Sequence, residues 1–169
     1  AHMRRDLGFD FCRNPSDKNP FVAGPLKRSD CSLVSDGAAA LTLMMADEAE
    51  MKGLVPIALI HGYDESAQEP EWFTTAPVTA IRKTLDRVGW TVKDVDLWEI
   101  NEAFAVVTMA AIQELELSHD KVNVNGGAVG IGHPLAATGT RLVLTLAYEL
   151  QRSGGRYGVA TACIGGGQG

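Results

Sequence analysis

Apolar residues recur at three- and four-residue spacing in the segment TTAPVTAIRKTLDRVGW, and this period predicts an amphipathic helix. The apolar stripe consists of Val78, Ile81, Leu85 and Val88. Thr75 is expected to cap the helix, Pro77 suits its first turn, and Gly89 is expected to end it.

Three further segments predict helices. ADEAEMKG predicts a short helix that stops at Gly53. AFAVVTMAAIQEL predicts an apolar helix. PLAATGTRLVLTLAYELQRSGG predicts a long helix from near Pro134 to Arg152, ending at Gly154 or Gly155.

Continuous apolar or β-rich runs predict strands between these helices. The runs are GAAALTLMM from Gly37, VPIALIHGY from about Val55 to Tyr63, DVDLWEI, KVNVN and YGVATACI. Because strands alternate with helices over mostly short connections, the pattern predicts an α/β fold with a mostly parallel sheet and helices packed on its faces. Residues 1–36, which carry several prolines, predict an irregular, mostly extended segment.

Composition and charge exclude several classes of function. The chain has 169 residues and a net charge of -6, with no block of basic residues, so a nucleic-acid surface is not expected. No apolar run reaches the roughly 20 residues of a membrane span, and no membrane partner is expected. The three cysteines, Cys12, Cys31 and Cys163, lie far apart, which favours a reducing compartment such as the cytoplasm over a disulfide framework.

Polar side chains stand at the carboxyl ends of three predicted strands, the edge where ligands bind in open α/β sheets. Asn101 and Glu102 follow DVDLWEI, His133 follows KVNVN, and Cys163 ends YGVATACI. Asn101 is able either to cap the next helix or to hold a water or carbonyl group. Glu102 suits a first-turn acid or a group that orients its neighbours.

Glycines surround two of these residues. Four of them precede His133 within eight residues, and three follow Cys163 closely. His133 is either a helix-start histidine bound by backbone or a donor to a developing oxyanion. Cys163 is either a small buried apolar residue or a thiol whose pKa is lowered by nearby backbone N–H groups. The glycine runs favour the chemical interpretation because they permit close backbone approach.

Other motifs are not supported. GGAVGIGHPLAATG departs from the dinucleotide-binding fingerprint, since Leu135 stands where its third glycine belongs. The histidines and cysteines have no metal-ligand spacing, so no metal site is expected.

Four stretches resemble the signatures of thiolases: SDGAAAL, NEAFA, NVNGGAVGIGHPLAATGTR and CIGGGQG, which keep the family's order over residues 30 to 169. The resemblance implies an acyltransferase that cleaves 3-ketoacyl-CoA with CoA or condenses two acyl-CoA molecules. It implies one half of a two-half α/β fold, no tightly bound cofactor, coenzyme A or acyl-CoA as substrate, and a homo-oligomer, dimer or tetramer, in the intact protein.

The resemblance also implies a role for individual residues. Cys163 would be the acid/base cysteine, and His133 would donate to the thioester oxygen. Asn101 would hold a water at the same oxyanion site, and Gly165 would offer its backbone N–H to a second one. Along the pantetheine arm of CoA would lie Ser32 and Phe104.

The chain departs from the family pattern in its cysteines. Thiolases use a second, nucleophilic cysteine in their N-terminal half, and neither Cys12 nor Cys31 stands in its motif. We therefore expect residues 1–36 to be the tail of the loop or N-terminal region, 37–53 the last strand and helix of the N-terminal half, and 54–169 a C-terminal domain without its final strand. The chain alone is expected to be inactive; the alternative is a non-catalytic thiolase-like module, or a half-protein that needs an N-terminal partner. A ketoacyl synthase fits less well, because histidines take the places of Asn101 and Cys163 there.

Overall fold

A computed structural model describes residues 28–169. These residues form two strands and five α-helices: α1 (Ala46–Met51), α2 (Ala76–Val88), β1 (Leu97–Ile100), α3 (Ala105–Leu115), α4 (Ala128–Ile131), α5 (Leu135–Ser153) and β2 (Gly158–Thr161). Short 3-10 turns lie at Arg28–Asp30, Pro70–Thr75, Val92–Asp94 and His119–Lys121. Most of the expected irregular segment, including Cys12, lies outside the described residues.

Strands β1 and β2 pair in parallel, from Leu97 with Gly158 to Ile100 with Thr161. Helix α5 packs on both strands. The main apolar core joins β1 to α2 and α3, and its members include Ile81, Leu85, Trp98, Ile100, Val107 and Ala111. The predicted fold class, a parallel sheet with helices on its faces, is confirmed.

The long helices follow their predicted periods. In α2, Val78, Ile81 and Leu85 are buried and Gly89 ends the helix at a φ of 72°. Helix α5 ends at Gly154, also in the left-handed region, at a φ of 75°. Thr75 occupies the predicted N-cap position of α2, but its hydroxyl donates to the carbonyl of Trp72 at 2.9 Å and makes no cap bond to the helix.

Two predicted strands are wrong. Residues 37–45 and 55–63 form no strand, and their apolar side chains are largely exposed, with Val55 92% exposed. Residues 57–64 instead face β2 across a cleft of about 690 Å³ whose floor is formed by α2 and α5. An apolar run becomes a strand only where a neighbouring strand edge lies within hydrogen-bonding reach, and the cleft separates this one from β2.

The predicted strand KVNVN is also wrong, and a side chain accounts for its absence. Val122 makes a single parallel bridge with Trp98, after which Asn123 turns the chain at a φ of 49°. The Asn123 side chain then accepts from the Ile100 N–H at 2.8 Å and donates to the Ile100 carbonyl at 2.9 Å. A side-chain amide thus takes the place of the next strand residue along the edge of β1.

Candidate active site

Asn101 extends β1 by one residue and directs its side chain into the interior. Its N–H donates to the Thr161 carbonyl at 2.9 Å, which holds it beside the end of β2. The residue is 1% exposed, and its Oδ1 has no hydrogen-bond partner among the described residues. Helix α3 begins four residues later with Phe104 at its N-cap position, so Asn101 is not its cap. A buried amide oxygen that has no partner in the protein is available to bind a ligand.

His133 reaches Asn101 from the glycine loop before α5. Its backbone N–H donates to the Leu33 carbonyl at 2.9 Å. Its imidazole Nε2 lies 3.4 Å from Nδ2 of Asn101, and Nδ1 lies 2.7 Å from Oγ1 of Thr138. Side chains therefore contact both ring nitrogens. This excludes the alternative in which nearby backbone groups bind the imidazole of His133.

The glycine before His133 allows this approach. Gly132 has a φ of 97°, a left-handed conformation that favours glycine. A Cβ at this position would overlap the Ser35 side chain. The segment Leu33–Ser35 can therefore lie directly against the loop that carries His133.

The pKa of His133 is lowered from its usual value, first by burial and second by the positive charge of Arg141. Both effects disfavour the imidazolium. His133 is consequently neutral at pH 7 and carries a single ring proton, so one of its nitrogens is a donor and the other an acceptor.

Glu102 fastens the glycine loop to the end of β1. Its Oε2 accepts from the Val129 N–H at 3.1 Å, and its Oε1 accepts from Nδ2 of Asn123 at 3.3 Å. A Cβ on Gly127 would overlap the Glu102 carboxylate. Glu102 therefore positions the loop, which agrees with its interpretation as an orienting group.

Cys163 follows β2 by two residues and belongs to the apolar core, with 7% of its surface exposed. Burial raises the pKa of its thiol to about 11, and a backbone hydrogen bond opposes this shift only in part. The expected lowering of the pKa by backbone N–H groups is therefore wrong, because desolvation of the thiolate outweighs them. Cys163 is a protonated thiol at pH 7.

The glycine-rich end of the chain forms a tight turn. Ile164 and Gln168 exchange backbone hydrogen bonds at 2.9 and 3.2 Å. Gly167 adopts a φ of 88°, and a Cβ there would overlap the Gln68 carbonyl. Gly165 is exposed, and a Cβ on it would meet nothing within 4 Å. Gly167 is thus needed for packing, whereas the backbone at Gly165 faces open space.

Ser32 and Phe104 lie together at the start of α3. The N–H and the hydroxyl of Ser32 both donate to the Ala103 carbonyl, at 3.1 and 3.0 Å. Cys31 forms an antiparallel bridge with Phe104, whose ring lies edge-on to Phe73 at 5.9 Å between centroids. The structure thus places the two residues expected along the pantetheine arm close together, and both are partly exposed.

The arrangement suits chemistry on a carbonyl compound. The buried amide of Asn101 follows β1, and the protonated thiol of Cys163 follows the adjacent strand β2. The neutral imidazole of His133 comes from the glycine loop. Among residues 28–169, no group of three or more histidines, cysteines or carboxylates could hold a metal ion. The same stretch contains no helix that is long and apolar enough to cross a membrane.

Comparison with known proteins identifies the family. The family model described as "Thiolase, C-terminal domain" matches residues 54–169. The chain belongs to the thiolase family. Its resemblance over NEAFA, NVNGGAVGIGHPLAATGTR and CIGGGQG is thereby confirmed.

Individual relatives agree with the thiolase assignment. The chain is 49% identical over 146 residues to acetyl-CoA acetyltransferase of Chromobacterium violaceum, covering 86% of this chain and 37% of the relative. It is 46% identical to the cytosolic acetyl-CoA acetyltransferase of Mus musculus, with the same coverage. The crystal structure of Bacillus anthracis acetyl-CoA acetyltransferase superposes with a TM-score of 0.80 at 46% identity, over 82% of this chain and 35% of that one. This thiolase chain therefore spans little more than a third of the length of the curated relatives it matches.

Sequence reasoning missed several residues in or near the candidate site. Thr138 and Asn123 make the contacts described above, and Glu99 lies buried on β1. The pKa of Glu99 is raised to about 7, first by burial, then by the nearby Glu102 and Glu149 carboxylates, while the charge of Arg141 opposes the rise. Thr138 was detectable in principle, because it stands within reach of His133 across the first turn of α5. No period or spacing distinguishes Glu99 from an exposed strand residue.

Proposed function

We propose that this chain carries the acid/base and first oxyanion-binding residues of a CoA-dependent thiolase, which cleaves 3-ketoacyl-CoA or runs the reverse condensation. The contact between Asn101 and His133 beside the end of β2 carries the proposal. An amide and a neutral imidazole at one buried point are suited to an oxygen that gains negative charge during reaction.

His133 and Asn101 would bind the thioester oxygen as it becomes an enolate. When the bond between the α- and β-carbons of the substrate breaks, its electron pair moves towards this oxygen. The imidazole would donate directly, and the Asn101 amide would hold a water that donates beside it. Because both residues are largely shielded from solvent, such hydrogen bonds are stronger than they would be in water.

Cys163 would supply the proton that the enolate takes up at its α-carbon. Its raised pKa keeps the thiol protonated, as a general acid requires. In the reverse direction the thiolate left behind would remove a proton from the incoming acyl α-carbon. The open backbone at Gly165 would place its N–H near a second oxyanion, formed on the acyl group.

Ser32 and Phe104 would line the path of the pantetheine arm. The ring of Phe104 is partly buried and packs edge-on against Phe73, so it would offer an apolar wall to the arm. A relative of known structure supports the ligand class, since human mitochondrial 3-ketoacyl-CoA thiolase has been solved in complex with CoA, at 45% identity and a TM-score of 0.71.

The motifs of this chain would not include the nucleophilic cysteine of the reaction. The chain would therefore be inactive alone. Residues 54–169 would be the C-terminal domain, and 37–53 would belong to the N-terminal half. The intact protein would act as a homo-oligomer, without a tightly bound cofactor, in the cytoplasm or another reducing compartment. The alternative is a non-catalytic module, favoured by the absence of a nucleophile motif.

Exchange of the acetyl-CoA methyl protons with deuterium tests the acid/base assignment. In a longer thiolase that contains this segment, Cys163→Ala is expected to lower exchange and thiolysis of acetoacetyl-CoA at least 100-fold. Ser118→Ala, at an exposed position, is the control and should react like the parent. Parental exchange in Cys163→Ala would refute the assignment. Release of acetyl-CoA by the 169-residue chain alone would refute both its expected inactivity and the alternative of a non-catalytic module.

A further inference from the structure

The hydroxyl of Thr138 lies between a ring nitrogen and a backbone carbonyl. Its Oγ1 is 2.7 Å from Nδ1 of His133 and 3.0 Å from the Pro134 carbonyl oxygen. Thr138 is 2% exposed, so Nδ1 of His133 and the Pro134 carbonyl, and not solvent, compete for its hydroxyl proton. A hydroxyl has one proton, and the group that receives it determines whether Nδ1 of His133 is an acceptor or a donor.

The Pro134 carbonyl already has two donors. It accepts from the N–H groups of Ala137 at 2.8 Å and of Thr138 at 2.9 Å, at the start of α5. A carbonyl oxygen has two lone pairs, so the Thr138 proton is not needed to satisfy it. The contact with Nδ1 is also the shorter of the two made by this hydroxyl.

We propose that Thr138 is a positioning residue, which donates its hydroxyl proton to Nδ1 of His133 and thereby holds the ring proton on Nε2. That proton then points towards Asn101 and the space where the thioester oxygen would bind. The benefit of this tautomer for oxyanion binding rests on the proposed function, whereas the assignment of the tautomer itself does not.

The surroundings of Asn101 agree with this assignment when its amide group is rotated by half a turn. Its buried Oδ1 has no partner among residues 28–169, while Nδ2 faces Nε2 of His133. The oxygen and nitrogen of an amide have nearly the same shape, so a half-turn of the group brings Oδ1 to the Nε2 proton. One donor then meets one acceptor, and Nδ2 takes the buried position that Oδ1 held, where it is available as a donor to a bound water or carbonyl group.

The opposite arrangement has a different chemical outcome. If Thr138 donates to the Pro134 carbonyl, Nδ1 of His133 must carry the ring proton. Nε2 is then an acceptor and cannot stabilise a negatively charged oxygen. The two arrangements place the proton of His133 on different nitrogens, so a measurement of the tautomer separates them.

Long-range ¹H–¹⁵N spectra of the 169-residue chain, labelled in its histidines, report this tautomer directly. His133→Gln assigns the signals by their loss. At pH 8 the expected spectrum shows the proton of His133 on Nε2 and a bare Nδ1. A proton on Nδ1 in the unmodified chain overturns the proposal, whatever the variants do.

Substitutions at Thr138 test whether its hydroxyl is the cause. Thr138→Val keeps the shape of the side chain and is expected to lower the Nε2–H population at least twofold, and Thr138→Ser to restore it. Thr140→Val, two residues further along α5, is the matched control and should keep the parental tautomer. An unchanged tautomer in Thr138→Val overturns the proposal, and if that variant does not fold, a lost Nε2–H in Thr138→Ser does so.

Kinetics of a longer thiolase containing this segment connect the tautomer to catalysis. Thr138→Val is expected to lower kcat about tenfold and to change KM for acetoacetyl-CoA less than twofold, since the hydrogen bond matters most in the transition state. A shifted tautomer with parental kcat would refute the proposed role of His133 and leave the positioning by Thr138 standing.

Discussion

Nδ2 of Asn101 lies 3.4 Å from Nε2 of His133, although the two residues are 32 positions apart in the chain. Asn101 is held by the end of β2, and His133 by the Leu33 carbonyl and by Thr138. Each side chain is therefore fixed by separate structural elements. This relationship places a buried amide and an imidazole at one point, as the proposed oxyanion site requires.

Replacement of Asn101 by alanine is expected to lower thiolase turnover. In a longer thiolase carrying this segment, Asn101→Ala should reduce kcat about 100-fold, because the water that Asn101 would hold, one donor to the oxyanion, is lost. Steady-state thiolysis of acetoacetyl-CoA measures the effect. Met109→Ala, at an exposed position on α3, serves as the control. Activity within twofold of the parent would exclude Asn101 from the oxyanion site.

Glu99 is expected to make stability depend on pH. Its folded pKa of about 7 lies above its usual 4.5, so the folded state retains a proton that the unfolded state has already lost in this window. The free energy of unfolding should therefore fall as pH rises from about 4.5 to 7, by at most about 3 kcal/mol, and then level off.

Urea unfolding at pH 5 and pH 7.5 checks this pH dependence. Glu99→Gln cannot titrate and should lose less stability over that range than the parent. The exposed Glu50→Gln should follow the parent curve. Equal slopes in Glu99→Gln and the parent would show that the Glu99 carboxyl does not hold its proton in the folded state.

Asn123 is expected to stabilise the end of β1. Asn123→Ala removes both hydrogen bonds to Ile100 and leaves a residue less suited to a φ of 49°. The expected loss is about 2–4 kcal/mol of unfolding free energy. Chemical denaturation measures it, with the exposed Val124→Ala as comparison. A loss no greater than that of the Val124 variant would contradict the structural role of this amide.

Gly132 is expected to tolerate no side chain. Gly132→Ala would force a Cβ into Ser35 at a φ of 97°, so the loop carrying His133 should shift and the protein should lose about 1–3 kcal/mol. Gly130→Ala, with open space around its Cα, is the matched control. Thermal unfolding compares the two variants, and equal melting temperatures would argue against a tight contact between the loop and residue 35.

The sequence by itself determined the long helices and the identity of the candidate residues. Helix periods are local, because residues three and four apart share a face whatever lies opposite, and Gly89 and Gly154 end α2 and α5 as their positions predict. The motifs around Asn101, His133 and Cys163 were recognisable as thiolase-like for the same reason, since each is a short contiguous stretch.

Only the tertiary structure decided which strands form and how the site is tuned. A strand needs a partner edge, so the apolar run at 55–63 could not be assigned from its own residues alone. At the edge of β1, the side chain of Asn123 makes the hydrogen bonds that a predicted strand would have made. The raised pKa of Cys163 follows from burial, which outweighs the backbone donors that the glycines suggested. Desolvation and strand pairing both depend on residues distant in the chain, and no local pattern contains them.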